Sequence, residues 1–397
     1  MAIGANILTG FILFPLIIKY LGKEALGVFG VFYSFKSIID MGMGWFSGSI
    51  TKNLIRFKYL NSSIFTLSFV INFLYGIVGA VIFYLLMRNF QSEYSLSATY
   101  FALFIFITFG MLPFYEKLIS ELKQFQVAFL KFLGQFGFMI VSVVLFLSYD
   151  DKSLDIIFFS LVLVNTLVFV ILFMFYLKNH EFNLEFKHIN KKLFNNLFFK
   201  DGGRYFINAV STILLLQVDV LLIAYLYGNE SVGIYLILWK IPNTIIMLGW
   251  RLSEPFQAIV ASDIKKNRNR VRDDFKRLEK KILLASVFVV ILYVIFGNIL
   301  LSFWLGSENV PNVKYMYIIS SLVIIFSVIQ RLYLSVNYYT KGLNTTTLLQ
   351  FIELGFKIVF ILFSFDYFQE LAPIVGWLVA FLFTIHFYRK NALRVLI

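Results

Sequence analysis

The stretch GKEALGVF at residues 22–29 recurs as GNESVGIY at residues 228–235, which lies 206 positions later in the chain. Both copies begin with glycine, and both carry glutamate at the third position and glycine at the sixth. One octapeptide match can arise by chance, but each copy here also lies between two long apolar segments, with half of the chain between the copies. The sequence therefore predicts an internal repeat in which both halves have the same orientation.

The composition around these stretches is too apolar for a soluble fold. Of the 397 residues, 60% are hydrophobic and only 14% are charged, with a mean hydropathy of +0.82. Soluble domains carry about 25% charged residues. A bilayer explains the difference because lipid replaces water around the apolar faces. We expect some of the 49 Phe and 22 Tyr side chains to form belts at the two membrane interfaces.

Twelve apolar segments are long enough for a transmembrane helix, which needs about 20 residues. The predicted spans are 2–20, 26–50, 64–87, 99–119, 127–148, 155–177, 205–227, 232–259, 282–305, 313–336, 345–365 and 371–388. Runs of this length lack the alternating pattern of barrel strands. The sequence thus predicts an all-α polytopic membrane protein of about 12 transmembrane helices in two six-helix halves.

The charges in the loops predict the orientation of these spans. With a cytoplasmic N-terminus, the cytoplasmic loops hold 24 lysines and arginines and the opposite loops hold 5. This bias follows the positive-inside rule and places both termini in the cytoplasm. The first cation, Lys19, follows the first apolar run. We therefore expect a retained helix at the N-terminus and no cleaved signal peptide.

Two predicted cytoplasmic loops are longer or more basic than the others. Residues 178–204 form a linker between an N-terminal six-helix half, 1–177, and a C-terminal half, 205–397. The second loop, 262–281, is strongly basic and has a helical pattern. It serves either as a topology anchor or as a contact with anionic lipid headgroups.

Several classes of function are disfavoured by composition. The net charge of +13 is explained by loop charges, so we expect no nucleic-acid partner. The absence of cysteine excludes disulfides and thiolate sites, and the histidines His180, His188 and His386 lack metal-ligand spacing. We expect no metal and no cofactor.

Ten charged residues lie more than three residues from the ends of the predicted spans, where each costs about 2.5–3.5 kcal/mol to insert. Local pairing is one explanation, because Lys36–Asp40 and Glu353–Lys357 are spaced i,i+4 and Arg251–Glu254 is spaced i,i+3. Lys131 lies near a membrane surface and reaches it by snorkelling. The same reasoning leaves three residues without a local partner: Lys240, Arg331 and Asp219.

The other explanation is an aqueous cavity that binds an anionic substrate such as a pyrophosphate, for which Lys and Arg are the usual ligands. The candidate substrate-binding residues are Lys36, Lys240, Arg251, Arg331 and Lys357. The candidate ion-coupling residues are Asp40, Asp219 and Glu353. Lys36 and Lys240 have near-equivalent positions in the repeat, which favours a pair of facing cations.

The segment PLIIKYLGKEALGVFGVFYSF at Pro15–Phe35, followed by DMGMG at residues 40–44, resembles the Wzx-type flippases of O-antigen and other polysaccharides. That family belongs to a superfamily with the MATE exporters and the lipid II flippase. The resemblance implies a MATE-like fold and a role in O-antigen or lipopolysaccharide biosynthesis. It also implies that an undecaprenyl-pyrophosphate-linked oligosaccharide crosses the cytoplasmic (inner) membrane by alternating access.

The expected partners are this lipid-linked oligosaccharide, membrane lipids and other membrane proteins of polysaccharide assembly. The chain departs from the family pattern because its membrane run begins at residue 2, without the usual short basic segment.

Three other classes remain open. A MATE-like exporter of organic cations would favour acids and aromatic residues in its cavity, whereas the charges here are mainly cationic. A polymerase, acyltransferase or glycosyltransferase needs catalytic groups on a loop or in a cavity, and the outer loops are short and lack such groups. A lipid scaffold would not explain cations in two related helices. We therefore expect a transporter and not an enzyme.

Overall fold

The computed structural model describes residues 2–57, 60–179, 182, 184–187, 189, 191–195, 199, 202–263, 267–311, 315–338 and 343–396. The described residues contain no strand, which confirms the predicted all-α class. The helices are α1 Ala2–Ile39, α2 Met41–Arg56, α3 Asn61–Phe90, α4 Ser95–Ser120, α5 Gln124–Ser148, α6 Leu154–Asn179, α7 Lys191–Asn195, α8 Gly202–Asp263, α9 Arg268–Leu305, α10 Met316–Tyr338, α11 Leu343–Phe368 and α12 Ala372–Leu396.

Nine stretches of the described residues are long and apolar enough to cross a bilayer. Four of them are much longer than one crossing requires, with 36, 38, 52 and 53 residues. The 38-residue stretch is the single helix α9. The 53-residue stretch contains α11 and α12, which are joined by a short 3₁₀ turn, Gln369–Leu371. These findings confirm a multi-pass membrane protein.

The other two long stretches each contain a sharp bend at a glycine. Gly22 in α1 has φ 86° and ψ 175°, and Gly228 in α8 has φ 87° and ψ 174°. A side chain strongly disfavours this backbone conformation, whereas glycine accepts it. The two glycines open the repeated octapeptides, so the repeat extends from sequence to backbone geometry.

Side chains on either side of each bend show that the helix folds back. The ring centroids of Phe14 and Phe29 are 6.2 Å apart, and the Tyr235 hydroxyl lies 2.5 Å from Asp219 Oδ2. Fifteen or sixteen residues of continuous helix would separate these groups by more than about 20 Å. Each bent helix therefore has a first arm before its glycine and a second arm after it.

The chain divides into two compact units, Met1–Val210 and Ser211–Ile397. In the first unit, α3 packs on α4, and α6 packs on both α4 and α5. The first arm of α1 runs parallel to α5, because Thr9 Oγ1 donates to the Gln135 carbonyl and Tyr20 packs on Phe146.

The second unit has the same internal order. α9 packs on α10, and α12 packs on both α10 and α11. The first arm of α8 runs parallel to α11, because Ser211 bonds Gln350 and Asp219 bonds Lys357 further along both helices. Each unit thus has a bent helix whose first arm runs beside the helix formed by the fifth predicted span of that half.

The predicted span 26–50 differs from the structure, since α1 ends at Ile39 and a new helix begins at Met41. Asp40 lies between them and opens the DMGMG stretch, whose glycines have low helix propensity. The corresponding part of α8 continues without a break to Asp263.

The basic segment 262–281 is helical from Arg268 onward, where it forms the N-terminal part of the 38-residue helix α9. This confirms the predicted helical pattern for that part of the segment. Lys265 and Lys266 lie outside the described residues, as do His180, His188 and several other positions of the predicted linker.

Candidate functional site

Asp219 in α8 forms a buried ion pair with Lys357 in α11. The Lys357 ammonium lies 2.8 Å from Asp219 Oδ2, and it also donates to the Leu215 carbonyl oxygen at 2.7 Å. Both charged side chains are almost completely buried, at 1% and 2% exposure. Helical spacing gives Asp219 no local partner, and the structure supplies one from α11, 138 residues further along the chain.

Two aromatic side chains complete this charged cluster. The Tyr235 hydroxyl donates to the same oxygen of Asp219 at 2.5 Å, so the carboxylate joins the two arms of the Gly228 bend. The Lys357 ammonium also lies 4.8 Å from the centre of the Trp377 ring in α12. A buried pair is stable only when its remaining hydrogen-bonding groups are satisfied, and these neighbours provide those contacts.

Glu353 does not pair with Lys357 as its i,i+4 spacing predicts. The described contacts of its carboxylate are neutral donors: Gln330 Nε2 at 2.9 and 3.2 Å, and Thr384 Oγ1 at 2.7 Å. Lys357 turns instead toward Asp219. Sequence analysis missed these two donors, Gln330 on α10 and Thr384 on α12, because a Gln or Thr in an apolar helix does not indicate which residue it will bond.

The other two local pairs are confirmed. Lys36 Nζ lies 2.6 Å from Asp40 Oδ2, and Arg251 forms an ion pair with Glu254. The Lys36–Asp40 pair is partly exposed, at 13% and 25%. The Arg251–Glu254 pair is more exposed, so both of its side chains are accessible for other contacts.

Arg331 in α10 is held differently, since its guanidinium lies 5.3 Å from the centre of the Trp250 ring. Trp250 is fixed in turn by an Nε1 hydrogen bond to the Ser327 carbonyl at 3.1 Å. In the described part of the chain, Arg331 has no carboxylate within ion-pair distance, and its Nε lacks a hydrogen-bond partner. The second arm of α8 approaches α10 closely here, because a Cβ at Gly249 would meet Val328 at 2.5 Å.

Lys240 is half-buried on the second arm of α8. The bends at Gly22 and Gly228 fix the repeat offset at 206, so Lys36 corresponds to Pro242 and Lys240 corresponds to Ser34. Two residues of helix differ by about 200° around the axis. Lys36 and Lys240 therefore lie two positions apart in the repeat and on different helix faces, and their pairing across the two halves stays a prediction.

Glu116 in α4 is a buried carboxylate that sequence analysis missed. It is 1% exposed and accepts a hydrogen bond from Ser68 at 2.7 Å. Ser68 also accepts a bond from Asn72 at 3.1 Å. Glu116 lies three residues from the end of the predicted span 99–119 and was not among the charged residues considered within the spans.

Comparison with known proteins identifies the fold. No protein-family profile and no curated protein matches the sequence. Solved structures do match over the whole chain. An inward-facing multidrug resistance MATE family transporter of the MOP superfamily has a TM-score of 0.70 and 14% identity, covering 100% of this chain and 95% of that protein.

A eukaryotic MATE transporter has a TM-score of 0.64 and 13% identity, covering 99% of this chain and 95% of that protein. The lipid II flippase MurJ, in an inward closed conformation, has a TM-score of 0.68 and 15% identity, with coverage of 99% and 88%. These neighbours are transporters and a flippase, and none of the three is an enzyme. The chain has the MATE-like fold that these MATE transporters and the lipid II flippase MurJ share.

Proposed function

We propose that this protein is a Wzx-type flippase, which moves an undecaprenyl-pyrophosphate-linked oligosaccharide across the cytoplasmic membrane by alternating access. The transported unit would be an O-antigen or polysaccharide repeat, delivered to other membrane proteins of lipopolysaccharide or polysaccharide assembly. The MATE-like fold supports transport in general, and the charged residues inside the helices support an anionic substrate.

Arg331 is the observation that carries this proposal. A guanidinium within an apolar helix is costly, and here no described carboxylate neutralises it. Trp250 orients the group by its ring face and leaves the positive charge in place. A planar guanidinium with a free Nε suits the oxygens of a diphosphate, which it binds in a bidentate manner.

The remaining candidate cations have graded roles in the proposal. Lys240 would assist Arg331, because it is half-buried on the helix that carries Trp250. Lys36 and Arg251 would bind substrate only by exchanging their carboxylate partners. Lys357 is enclosed with Asp219, so it would act on substrate only after that pair opens.

The three candidate acids would couple transport to an ion gradient. Glu353 is the best placed, because it is buried among neutral donors and no described cation pairs with it directly. Asp40 and Asp219 each hold a lysine, so a proton would have to compete with that lysine. A membrane carboxylate changes its protonation when its surroundings change between wet and dry.

The orientation that we propose has twelve crossings with both termini in the cytoplasm. The charge bias of 24 to 5 across the loops supports it. The parallel packing of α5 on the first arm of α1, and of α11 on the first arm of α8, also agrees with alternating crossings. A cytoplasmic-membrane location follows from the proposed substrate.

A MATE-like exporter of organic cations is the second candidate, since the same fold is found in multidrug transporters. Buried acids such as Glu353 favour it, because a carboxylate attracts a cation. The two candidates differ in the residue on which transport depends: Arg331 for an anionic headgroup and Glu353 for a cationic drug.

Proteoliposomes with the purified protein test both candidates. A fluorescent polyprenyl-diphosphate oligosaccharide should become accessible to an external quencher with wild-type protein, and Arg331→Ala should reduce that rate at least about tenfold. Arg331→Lys should retain part of the rate, and Arg270→Ala on exposed α9 should retain all of it. Uptake of a fluorescent organic cation, with no movement of the diphosphate lipid, would contradict the proposal.

A further inference from the structure

A basic groove lies at the C-terminal end of α12. It has a volume of about 500 Å³ and is lined by His386, Arg389, Lys390, Leu393 and Arg394. No acidic side chain is among these lining residues. The groove belongs wholly to the second unit and is separate from Arg331 and the Asp219–Lys357 pair.

One of the arginines already has a structural role. Arg389 forms a bidentate ion pair with Glu279 of α9. Its Nε lies 2.8 Å from Oε1, and its Nη2 lies 3.2 Å from Oε2. Tyr333 of α10 donates to the same carboxylate at 2.7 Å. These bonds fix the end of α12 against α9 and α10.

Lys390 and Arg394 provide the uncompensated charge of the groove. Both side chains are exposed, and neither has a carboxylate within ion-pair distance among the described residues. They are spaced i,i+4, so they lie on one face of α12 one turn apart. Two adjacent cations match the charge of a phosphate group.

The same face of α12 is apolar further from its end. Phe383 and Phe387 are spaced i,i+4 and precede Lys390 and Arg394 at helical intervals. The two phenylalanines are 58% and 55% exposed, so each presents an apolar ring to the surroundings. The face therefore changes from apolar to basic within about 5 Å along the helix axis. A lipid has this order of groups, with acyl chains next to a phosphate.

We propose that this groove binds the headgroup of an anionic phospholipid of the surrounding bilayer. The phosphate lies between Lys390 and Arg394, and the acyl chains lie along Phe383 and Phe387. Arg389 positions the end of α12 through Glu279 rather than binding the lipid. None of the lining residues of the groove is among the residues proposed to bind the transported substrate, so this lipid site is a second site.

Native mass spectrometry of the purified protein tests this site with phosphatidylglycerol. The double variant Lys390→Gln/Arg394→Gln should bind the first lipid molecule about 25-fold more weakly than wild type, because each cation near a headgroup contributes about fivefold. The matched control, Lys187→Gln/Lys191→Gln at exposed positions of the linker, removes the same charge and should change binding less than about twofold.

Further arms separate a lipid site from simpler explanations. Zwitterionic phosphatidylcholine should bind equally to wild type and to both variants. Lys390→Arg should bind phosphatidylglycerol as wild type does, which also shows that a folded protein is being measured. The proposal is overturned if both double variants lose affinity equally, if neither does, or if inorganic phosphate displaces the bound lipid.

Discussion

The bends at Gly22 and Gly228 have the same backbone conformation, but different kinds of side-chain contact hold their two arms together. With the repeat offset of 206, Asp219 corresponds to Leu13, and Tyr235 corresponds to Phe29. In the first unit the arms meet through buried apolar side chains, including the contact of Phe14 with Phe29. In the second unit they meet through a hydroxyl and a carboxylate, with the ammonium of Lys357 beside them.

This difference separates what the fold requires from what function adds. An apolar contact is sufficient to hold the bend, as the first unit shows. The charged cluster of the second unit costs desolvation energy that well-packed apolar side chains avoid. We therefore expect this cluster to have a role beyond holding the arms together, which the variants below test. Because Lys357 comes from α11, the cluster links that helix to both arms of α8.

The largest expected effect comes from breaking the buried pair. Lys357→Met should lower the free energy of unfolding by about 3–5 kcal/mol, because Asp219 is left buried without its counter-ion. Asp219→Leu with Lys357→Met makes the second unit like the first and should recover most of the loss. Thermal unfolding in detergent measures both variants. Arg251→Met is the matched control, since its pair is exposed and its midpoint should hardly change.

A wild-type midpoint for Lys357→Met would contradict this prediction and show that the pair contributes nothing to stability. If the double variant recovers stability but loses transport, the cluster serves function, and the comparison of the two units is sharpened.

Replacing the bend glycines should have the next largest effect, and it should be equal in the two units. Gly22→Ala and Gly228→Ala each force a side chain into a glycine-only conformation, which costs about 2–3 kcal/mol. Neither position lacks space, so the loss would report backbone strain alone. Gly355→Ala, at an open helical position, is the control and should not destabilise the protein.

If only one of the two variants, Gly22→Ala or Gly228→Ala, lowers the unfolding midpoint, the bends are not equivalent.

A smaller effect is expected for Tyr235→Phe, which makes this position like Phe29 of the first unit. It removes one hydrogen bond to a charged acceptor, worth about 1.5 kcal/mol. Lys357 still neutralises Asp219, so the fold should persist. Tyr225→Phe, at a site that is 74% exposed, serves as the control in the same unfolding assay. Equal midpoints for the two variants would show that the Tyr235 bond does not hold the arms together.

The smallest effect concerns the charged pair of the first unit. Lys36 and Asp40 lie on one helix and are partly exposed, so their coupling energy should be only about 0.5 kcal/mol. A double-mutant cycle with Lys36→Met and Asp40→Asn measures it. A coupling as large as that of Asp219 with Lys357 would remove the distinction between a local pair and a buried one.

The helical class and the two bends were predictable from the sequence because each depends on local signals. Apolar runs of about 20 residues indicate spans, and a glycine between two such runs indicates a reversal. The buried pair was not predictable, because Asp219 and Lys357 lie 138 residues apart. The i,i+4 rule assigned Lys357 to Glu353, whereas in the packed structure the Lys357 ammonium pairs with Asp219 of α8. For Lys36 the same rule succeeded, since no described carboxylate from another helix competes for it.

The buried ion pair at the Gly228 bend also constrains how this sequence can change in evolution. If the two units descend from one duplicated segment, positions 13 and 219 began alike and now hold Leu and Asp. A lone charge at 219 or 357 is strongly unfavourable, so neither residue of the pair is readily gained or lost by itself. The pair can therefore be gained or lost only through neutral polar intermediates at these positions or through simultaneous changes at both. Related sequences should accordingly show covariation of positions 219 and 357, while positions 22 and 228 stay glycine.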